Sequence, residues 1–151
     1  MSEFRQHYTQ LDEAIDDIRG VLQRSTPNGA LDGLSVDEDT LEHARLVLHE
    51  WLVNLIQHAV FQGKRPYVEV TLEFANRHVS CCVIDNSEGF DLQAQLELQE
   101  AASPPFPERG MGLRFIDACT RKVTYQTRAD GLQQFSCIIP SNAQPWVNIL
   151  S

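Results

Sequence analysis

Residues 49–59 read HEWLVNLIQHA, an apolar helical segment that carries a row of polar side chains. Glu50, Asn54 and His58 are four residues apart, so they lie on the same side of a helix. Polar groups within an apolar helix cost free energy unless they have partners. The row therefore predicts one of two arrangements: a solvent-facing edge of an amphipathic helix, or one wall of a nucleotide pocket.

Size and composition predict one globular domain that spans residues 1–151. The hydrophobic content of 42% and the charged content of 22% are ordinary for such a domain. No apolar run approaches the roughly 20 residues that a bilayer span needs, and residues 1–7 lack the apolar core of a signal peptide. We therefore expect a cytoplasmic protein that does not bind a membrane.

Charge and cysteine usage narrow the classes of function. The net charge of −9 argues against direct binding of nucleic acid, because such binding relies on Lys and Arg to neutralise phosphates. The four cysteines show no Cys-x-x-Cys spacing, so we expect small buried thiols in a reducing compartment. They are Cys81, Cys82, Cys119 and Cys137.

Two helices are predicted in the first half of the chain. Apolar residues recur at helical spacing over residues 9–24. Ser35 and Glu38 form a capping-box pattern, in which each side chain satisfies a free amide at a helix start. From there a long helix is predicted to run to about Gln62 and to end at Gly63.

A sheet is predicted in the second half. Residues 68–74 alternate between apolar and polar side chains, and residues 79–84 are apolar or small on both faces, which predicts a central strand. Residues 122–127 and 134–139 are predicted to form a last hairpin around a turn at Asp130 and Gly131.

The stretch between those strands is the least regular, with a short helical pattern around Leu92 and a helix after Gly110. The order α, α, β, β, loop, α, β, β predicts an α+β fold. We expect a two-layer sandwich in which helices cover one face of a mixed, mainly antiparallel sheet.

Three places have residue types that suit nucleotide chemistry. The first place is the polar row of residues 49–59, where the amide oxygen of Asn54 is a neutral ligand of the kind that Mg²⁺ prefers. Glu50, one turn earlier, is placed to accept a proton from an attacking hydroxyl or to orient a water.

The second place is DNSEGFD, residues 85–91, directly after the predicted central strand. A polar loop with glycine at the end of a strand is typical of binding sites, and an Asp carboxylate can accept a hydrogen bond from an exocyclic amino group such as that of adenine. The other interpretation is a turn that only ends the strand.

The third place is ERGMGLRFI, residues 108–116. Gly110 and Gly112 at a helix N-terminus would let backbone amides approach an anion, and Arg109 could add a charge-assisted contact to phosphate. The segment is not a Walker loop, because no Gly-Lys-Ser/Thr follows. The alternative is a flexible junction between a loop and a helix.

Together the three places resemble the GHKL ATPase superfamily with its Bergerat nucleotide-binding fold, and most of all the small anti-sigma-factor serine kinases of bacteria. The likeness covers nearly the whole chain. The matching positions are Glu50, Asn54, His58 and Ala59 in the first place, Asp85, Gly89, Phe90 and Asp91 in the second, and Gly110, Gly112, Leu113 and Ile116 in the third.

The resemblance implies a role for most of these residues. Asn54 would hold Mg²⁺ against the phosphates of ATP, Glu50 would be the general base, and Asp85 would bind the adenine. Residues 91–109 would form a lid. The implied nucleotide-binding set is Asn54, His58, Asp85, Gly89, Phe90, Arg109, Gly110, Met111, Gly112 and Leu113.

The resemblance also implies partners. Such kinases form homodimers, bind a sigma factor, and phosphorylate a serine on an anti-anti-sigma antagonist; the unphosphorylated antagonist frees the sigma factor. Two departures bear on catalysis. Ser87 stands where the family has a glycine, and the segment 133–135 stands where the closing hairpin usually has a threonine, with Gln134 as a candidate substitute.

Two alternatives remain open at the level of sequence. One is a detached ATPase domain of a sensor histidine kinase, although His49 lies on the same helix as Asn54 and not on a preceding phosphoacceptor helix. The other is a non-catalytic ATP-binding regulator that acts by sequestering a protein. The branches that act in DNA topology and mismatch repair need a second domain after the ATPase domain.

Overall fold

Five strands and four helices make up the part of the chain that the computed structural model describes, namely residues 2–24, 38–75, 77–101 and 112–141. In chain order these are β1 (Ser2–Tyr8), α1 (Leu11–Arg24), α2 (Glu38–His58), β2 (Val68–Ala75), β3 (His78–Asp85), α3 (Leu92–Ala101), α4 (Gly112–Cys119), β4 (Arg121–Thr127) and β5 (Gln133–Pro140).

The strands form one sheet in the order β1-β2-β3-β5-β4, and the four pairings between described strands are all antiparallel. The predicted α+β class is confirmed, and the sheet is antiparallel throughout its described part. β3 lies at the centre, as predicted from the apolar and small residues on both of its faces.

The core lies between the helices and the inner face of the sheet. Alternate residues of β2, β3 and β5 point inward and pack against α1, α2 and α4. This inner row continues into polar residues where β3 ends and β5 begins, at Asp85 and Gln133. The helix layer therefore covers an apolar sheet that has a polar margin at one end.

The edge strand β1 was not predicted. Its sequence SEFRQHY alternates weakly, and it pairs with β2 from Ser2 opposite Phe74 to Tyr8 opposite Val68. Tyr8 is buried and its hydroxyl donates a hydrogen bond to Asp17 of α1. The strand forms because it pairs with β2, and its own residue pattern is too weak to predict it.

The end of α2 was predicted wrongly. The helix ends at His58, not near Gln62, and the left-handed backbone of Gln62 (φ 49°) and Gly63 (φ 76°) forms a separate turn. The carbonyl of Val60 accepts a hydrogen bond from the backbone of Glu88 at 2.8 Å, which takes the chain away from the helix. Ser35, the predicted cap, lies outside the described residues.

The other predicted elements are confirmed within a few residues. These are α1, the short helix α3, the helix α4 and the last hairpin of β4 and β5. The four cysteines are free thiols, of which three are buried and Cys82 is half-buried. None of the described helices combines the length and the apolar character that crossing a bilayer would require.

A stacked pair of aromatic rings joins the helix layer to the sheet. Trp51 of α2 is fully buried and stacks on Phe135 of β5, with 4.0 Å between ring centroids and 13° between the planes. Tyr125 of β4 meets the indole edge-on at 5.0 Å. Stacked and edge-on pairs add to the free energy gained by burying the rings.

Replacing Trp51 by Ala is expected to lower the free energy of unfolding by about 3–5 kcal/mol, because the change leaves a cavity against Phe135. Urea denaturation followed by circular dichroism would measure the loss. Ile56→Ala is the matched control on the same helix, since Ile56 is 48% exposed, and should change stability by about 0.5 kcal/mol or less. Equal losses for the two variants would contradict the role given to Trp51.

If Trp51→Ala does not fold, Trp51→Phe provides the comparison. This variant keeps a ring against Phe135 and removes an indole N–H that is buried without a partner among the described residues. Its loss of stability should lie between those of the other two variants.

Candidate functional site

The polar row of α2 does not form a solvent-facing edge. Asn54 is only 4% exposed, while Glu50 and His58 are half-buried. The side-chain nitrogen of Asn54 is buried and has no hydrogen-bond partner among the described residues. A buried amide with unused hydrogen-bonding capacity costs stability, so Asn54 has a donor that the described residues leave available.

Asp85 is the second buried polar group with an unused atom. It is fully buried at the end of β3, where one carboxylate oxygen accepts a hydrogen bond from the backbone N–H of Ser87 at 2.8 Å. The other oxygen, Oδ2, has no partner in the described part of the chain. Burial raises the pKa of the Asp85 carboxyl, and the hydrogen bonds from Ser87 oppose that shift only in part.

Ser87 is accommodated without backbone strain. It is not among the residues with positive φ, so its Cβ causes no backbone strain at a position where the resemblance predicts glycine. Its hydroxyl accepts a hydrogen bond from the backbone N–H of Gly89 at 3.1 Å. The serine side chain therefore stabilises the turn from Ser87 to Gly89, at a position where the GHKL motif has glycine.

Gly89 is required for two reasons. Its φ of +80° lies in the left-handed region, which side chains with a Cβ rarely adopt. A Cβ at this position would also lie 2.9 Å from the carboxamide carbon of Gln133. A side chain at position 89 would therefore strain the backbone and displace the Gln133 carboxamide.

Gln133, not Gln134, occupies the site on the closing hairpin. Gln133 lies directly opposite Asp85 in the sheet, is buried, and accepts a hydrogen bond from the Thr127 hydroxyl at 2.9 Å. Gln134 points to the other face of the sheet and donates to the Ser136 hydroxyl at 3.3 Å. The expectation for Gln134 was wrong because successive residues of a strand face opposite sides.

Asn86 fixes the Asp85 loop to the connection between α2 and β2, and was missed in the sequence. Its side-chain oxygen accepts from the backbone N–H of Tyr67 at 2.8 Å, and its side-chain nitrogen donates to the carbonyl of Arg65 at 3.0 Å. Both partners lie about twenty residues earlier, so no local pattern could have revealed them.

An aromatic cluster, defined here as Trp51, Phe90, Tyr125 and Phe135, borders the Asp85 loop. Phe90 lies 5.6 Å from Trp51 and 5.1 Å from Tyr125 between ring centroids. The His58 ring lies 6.1 Å from that of Phe90. The structure thus brings the C-terminal half of α2 into contact with the loop 85–90.

The third predicted place is described only in part. Arg109, Gly110 and Met111 lie outside the described residues, while Gly112 and Leu113 form the first turn of α4, which packs against α2 and α3. In the predicted lid, Asp91 caps α3 by accepting a hydrogen bond from the backbone N–H of Ala94 at 3.0 Å. This capping gives the Asp91 match a structural reason.

Asp85→Asn is expected to raise the melting temperature of the ligand-free protein at neutral pH. The pKa of Asp85 is raised in the folded state, so its ionisation favours the unfolded chain. The gain should be absent below the ordinary pKa of aspartate, about 3.9, should grow as the pH rises, and should be complete above the raised pKa.

Thermal unfolding at a series of pH values would measure this gain. Asp16→Asn, an exposed change on α1, is the control and should show no such pH-dependent gain. A melting temperature that is unchanged or lower for Asp85→Asn at neutral pH would contradict the expected cost of the buried carboxylate.

Comparison with solved structures finds catalytic domains of histidine kinases at low identity. A nucleotide-free form of the histidine kinase ThkA is 15% identical over 95% of this chain and 100% of that chain, with a TM-score of 0.46. A second nucleotide-free form of ThkA is 18% identical over 91% and 98%, with a TM-score of 0.47. The mycobacterial sensor histidine kinase MprB is 16% identical over 95% and 100%, with a TM-score of 0.46.

These structural likenesses are too weak to support any conclusion about the site. No match is found among curated proteins. The family assignment depends instead on a match to residues 9–133, which include the polar row of α2, the Asp85 loop and the start of β5. Because this match covers most of the chain, the protein belongs to the family of histidine kinase-like ATPase domains, within the GHKL superfamily.

Proposed function

We propose that this protein is an ATP-dependent serine/threonine protein kinase of the anti-sigma-factor type. It would phosphorylate a serine on an anti-anti-sigma antagonist and sequester a sigma factor or a similar partner. The observation that carries the proposal is on α2, where the carboxylate of Glu50 lies one turn before the buried amide of Asn54. Membership of an ATPase-domain family supports ATP as the nucleotide.

The side chains of Asn54 and Asp85 suit a bound nucleotide with Mg²⁺. Mg²⁺ on a nucleotide takes few protein ligands because phosphate oxygens and waters fill the rest of its shell; the amide oxygen of Asn54 would be one such ligand, while its unpartnered nitrogen is a donor that would face a phosphate oxygen. Asp85 keeps one carboxylate oxygen without a partner, and this oxygen would accept a hydrogen bond from the adenine amino group. Mg²⁺ would supply neutralisation of the phosphate charge.

Glu50 would act on the protein substrate. In the transfer, the serine oxygen of the antagonist forms a bond to the γ-phosphorus while the bond from that phosphorus to the β,γ-bridging oxygen breaks, and ADP leaves. Glu50 would accept the proton of the serine hydroxyl. Glu50 is half-buried, so the residue is not enclosed in the core.

The departures from the family motif do not remove this chemistry. Ser87 is held without positive φ, and Gln133 takes the inward position on the closing hairpin. Glu50 and Asn54 are both retained. The homodimer, the sigma factor and the antagonist belong to the same proposal and depend on the motif resemblance alone.

Glu50→Gln is expected to lower phosphate transfer by about 100-fold or more, since general-base catalysis contributes about 10²–10⁴-fold. Transfer from γ-³²P-labelled ATP to a purified antagonist protein would measure it, with ATP affinity determined in parallel by calorimetry. The affinity should be retained, because glutamine keeps the size of the side chain. Glu13→Gln, an exposed change on α1, is the control and should transfer normally.

The chemistry of the product separates the three candidate functions. Phosphoserine survives acid and is lost in base, whereas phosphohistidine is lost in acid. An acid-labile product would support the histidine-kinase alternative. Mg²⁺-dependent ATP binding without transfer to any antagonist would support the non-catalytic regulator, and unchanged transfer by Glu50→Gln would remove Glu50 as the base.

Asn54→Ala is expected to abolish the Mg²⁺-dependent part of ATP affinity. Calorimetric titration with ATP in Mg²⁺ and in EDTA would show wild type binding more tightly with Mg²⁺ and the variant binding equally in both. Gln57→Ala on the exposed side of α2 is the matched control and should behave as wild type. A variant that keeps the full Mg²⁺ effect would show that another residue holds the ion.

A further inference from the structure

Tyr125 has a buried hydroxyl whose hydrogen finds no acceptor among the described residues. The residue lies on β4, directly opposite Phe135 in the sheet, so its side chain shares the inner face. The residue is half-buried, and the hydroxyl oxygen is buried with no group in the described part of the chain to accept its hydrogen. Leaving a buried donor unpaired costs free energy, so the hydroxyl is costly for folding alone.

The Tyr125 ring contacts the Asp85 loop through Phe90, with 5.1 Å between the ring centroids. Burial is the main cause that raises the pKa of the Tyr125 phenol, and the charge of Asp85 raises it further. Hydrogen bonds to the phenol oxygen from the Phe90 backbone N–H and the Ser87 side chain oppose this rise. The phenol is therefore protonated at neutral pH, and it can donate a hydrogen bond close to the carboxylate of Asp85.

The ring of Tyr125 is held in place by the aromatic cluster. Trp51 meets it edge-on at 5.0 Å with 72° between the planes, and Phe90 meets it at 5.1 Å with 42°. Because rings on two sides restrict its rotation, the hydroxyl has a defined position. A hydrogen-bond donor that is held in advance loses little entropy when a ligand binds.

A free acceptor and a free donor therefore both border the Asp85 loop. Oδ2 of Asp85 is an acceptor, and the Tyr125 hydroxyl is a donor. Adenine presents the matching pair on its edge, a donating amino group at C6 next to an accepting ring nitrogen, N1. Guanine has an accepting oxygen at C6 and a donating N1–H. In the same orientation, its N1–H would face the Tyr125 hydroxyl, so two donors would oppose each other.

We propose that Tyr125 is a specificity-determining residue that donates a hydrogen bond to N1 of adenine while Asp85 accepts one from the amino group. The proposal rests on the proposed ATP site. The proposal also gives the closing hairpin a hydroxyl that contacts the base. The Thr127 hydroxyl donates to Gln133, and Tyr125, two residues earlier on β4, would supply the hydroxyl instead. Tyr125 and Asp85 thus read adjacent atoms of the base.

The test combines a protein change with a ligand change. Tyr125→Phe keeps the ring packing and removes only the hydroxyl, and 1-deaza-ATP replaces N1 by a carbon that cannot accept a hydrogen bond. Calorimetry with Mg²⁺ would give four affinities. One hydrogen bond contributes about 0.5–1.5 kcal/mol, so wild type should bind ATP about 3- to 10-fold more tightly than 1-deaza-ATP.

In the expected result, Tyr125→Phe binds ATP about 3- to 10-fold more weakly than wild type does and does not distinguish ATP from 1-deaza-ATP. Tyr67→Phe is the matched control, because the Tyr67 hydroxyl is bonded to Glu69 at 3.3 Å outside the site. This control should keep the wild-type preference for ATP. A melting temperature of ligand-free Tyr125→Phe equal to or above that of wild type would show that the fold is intact.

The outcomes separate this inference from the proposed function. If Tyr125→Phe keeps the full preference for ATP over 1-deaza-ATP, the role of Tyr125 is wrong, while ATP binding by wild type and its loss in Asp85→Ala would still support the proposed ATP site. If wild type binds no ATP with Mg²⁺, both proposals fail together.

Discussion

The stacking of Trp51 on Phe135 is the interaction on which the arrangement of the site depends. Trp51 lies between Glu50 and Asn54 on the same helix, and its ring fixes the rotation of α2 about its own axis. A helix that turned by one residue would carry the polar row about 100° around that axis. The apolar contact thus sets the direction in which the polar groups face.

Much of the fold could be predicted because most elements carry their own periodicity. The helices α1 and α4 and the strands β2, β3 and β5 follow from apolar spacing alone. The strand β1 and the end of α2 could not be predicted, since each depends on a partner far along the chain: β2 for the strand, and Glu88 for the carbonyl of Val60. Local patterns carry no record of such partners.

The same distinction holds within the candidate site. Asn54, Asp85 and Gly89 could be singled out because motif spacing places them at a helix row and a strand end. Asn86 and Tyr125 could not be singled out. The role of Asn86 depends on a hydrogen bond to a residue distant in sequence, and that of Tyr125 on the burial of its hydroxyl. The confusion of Gln134 with Gln133 shows a further limit, since a shift of one residue in a strand moves a side chain to the opposite face.

The polar edge strand β1 has a consequence for the behaviour of the chain in concentrated solution. It covers the edge of β2, whose residues 68–74 are rich in Val, Leu and Phe, and it presents Glu3, Arg5 and His7 as exposed side chains. Uncovered strand edges of that composition pair readily with other chains. Residues 2–8 therefore protect the edge of β2 against pairing with other chains, and deleting them would create an aggregation-prone surface.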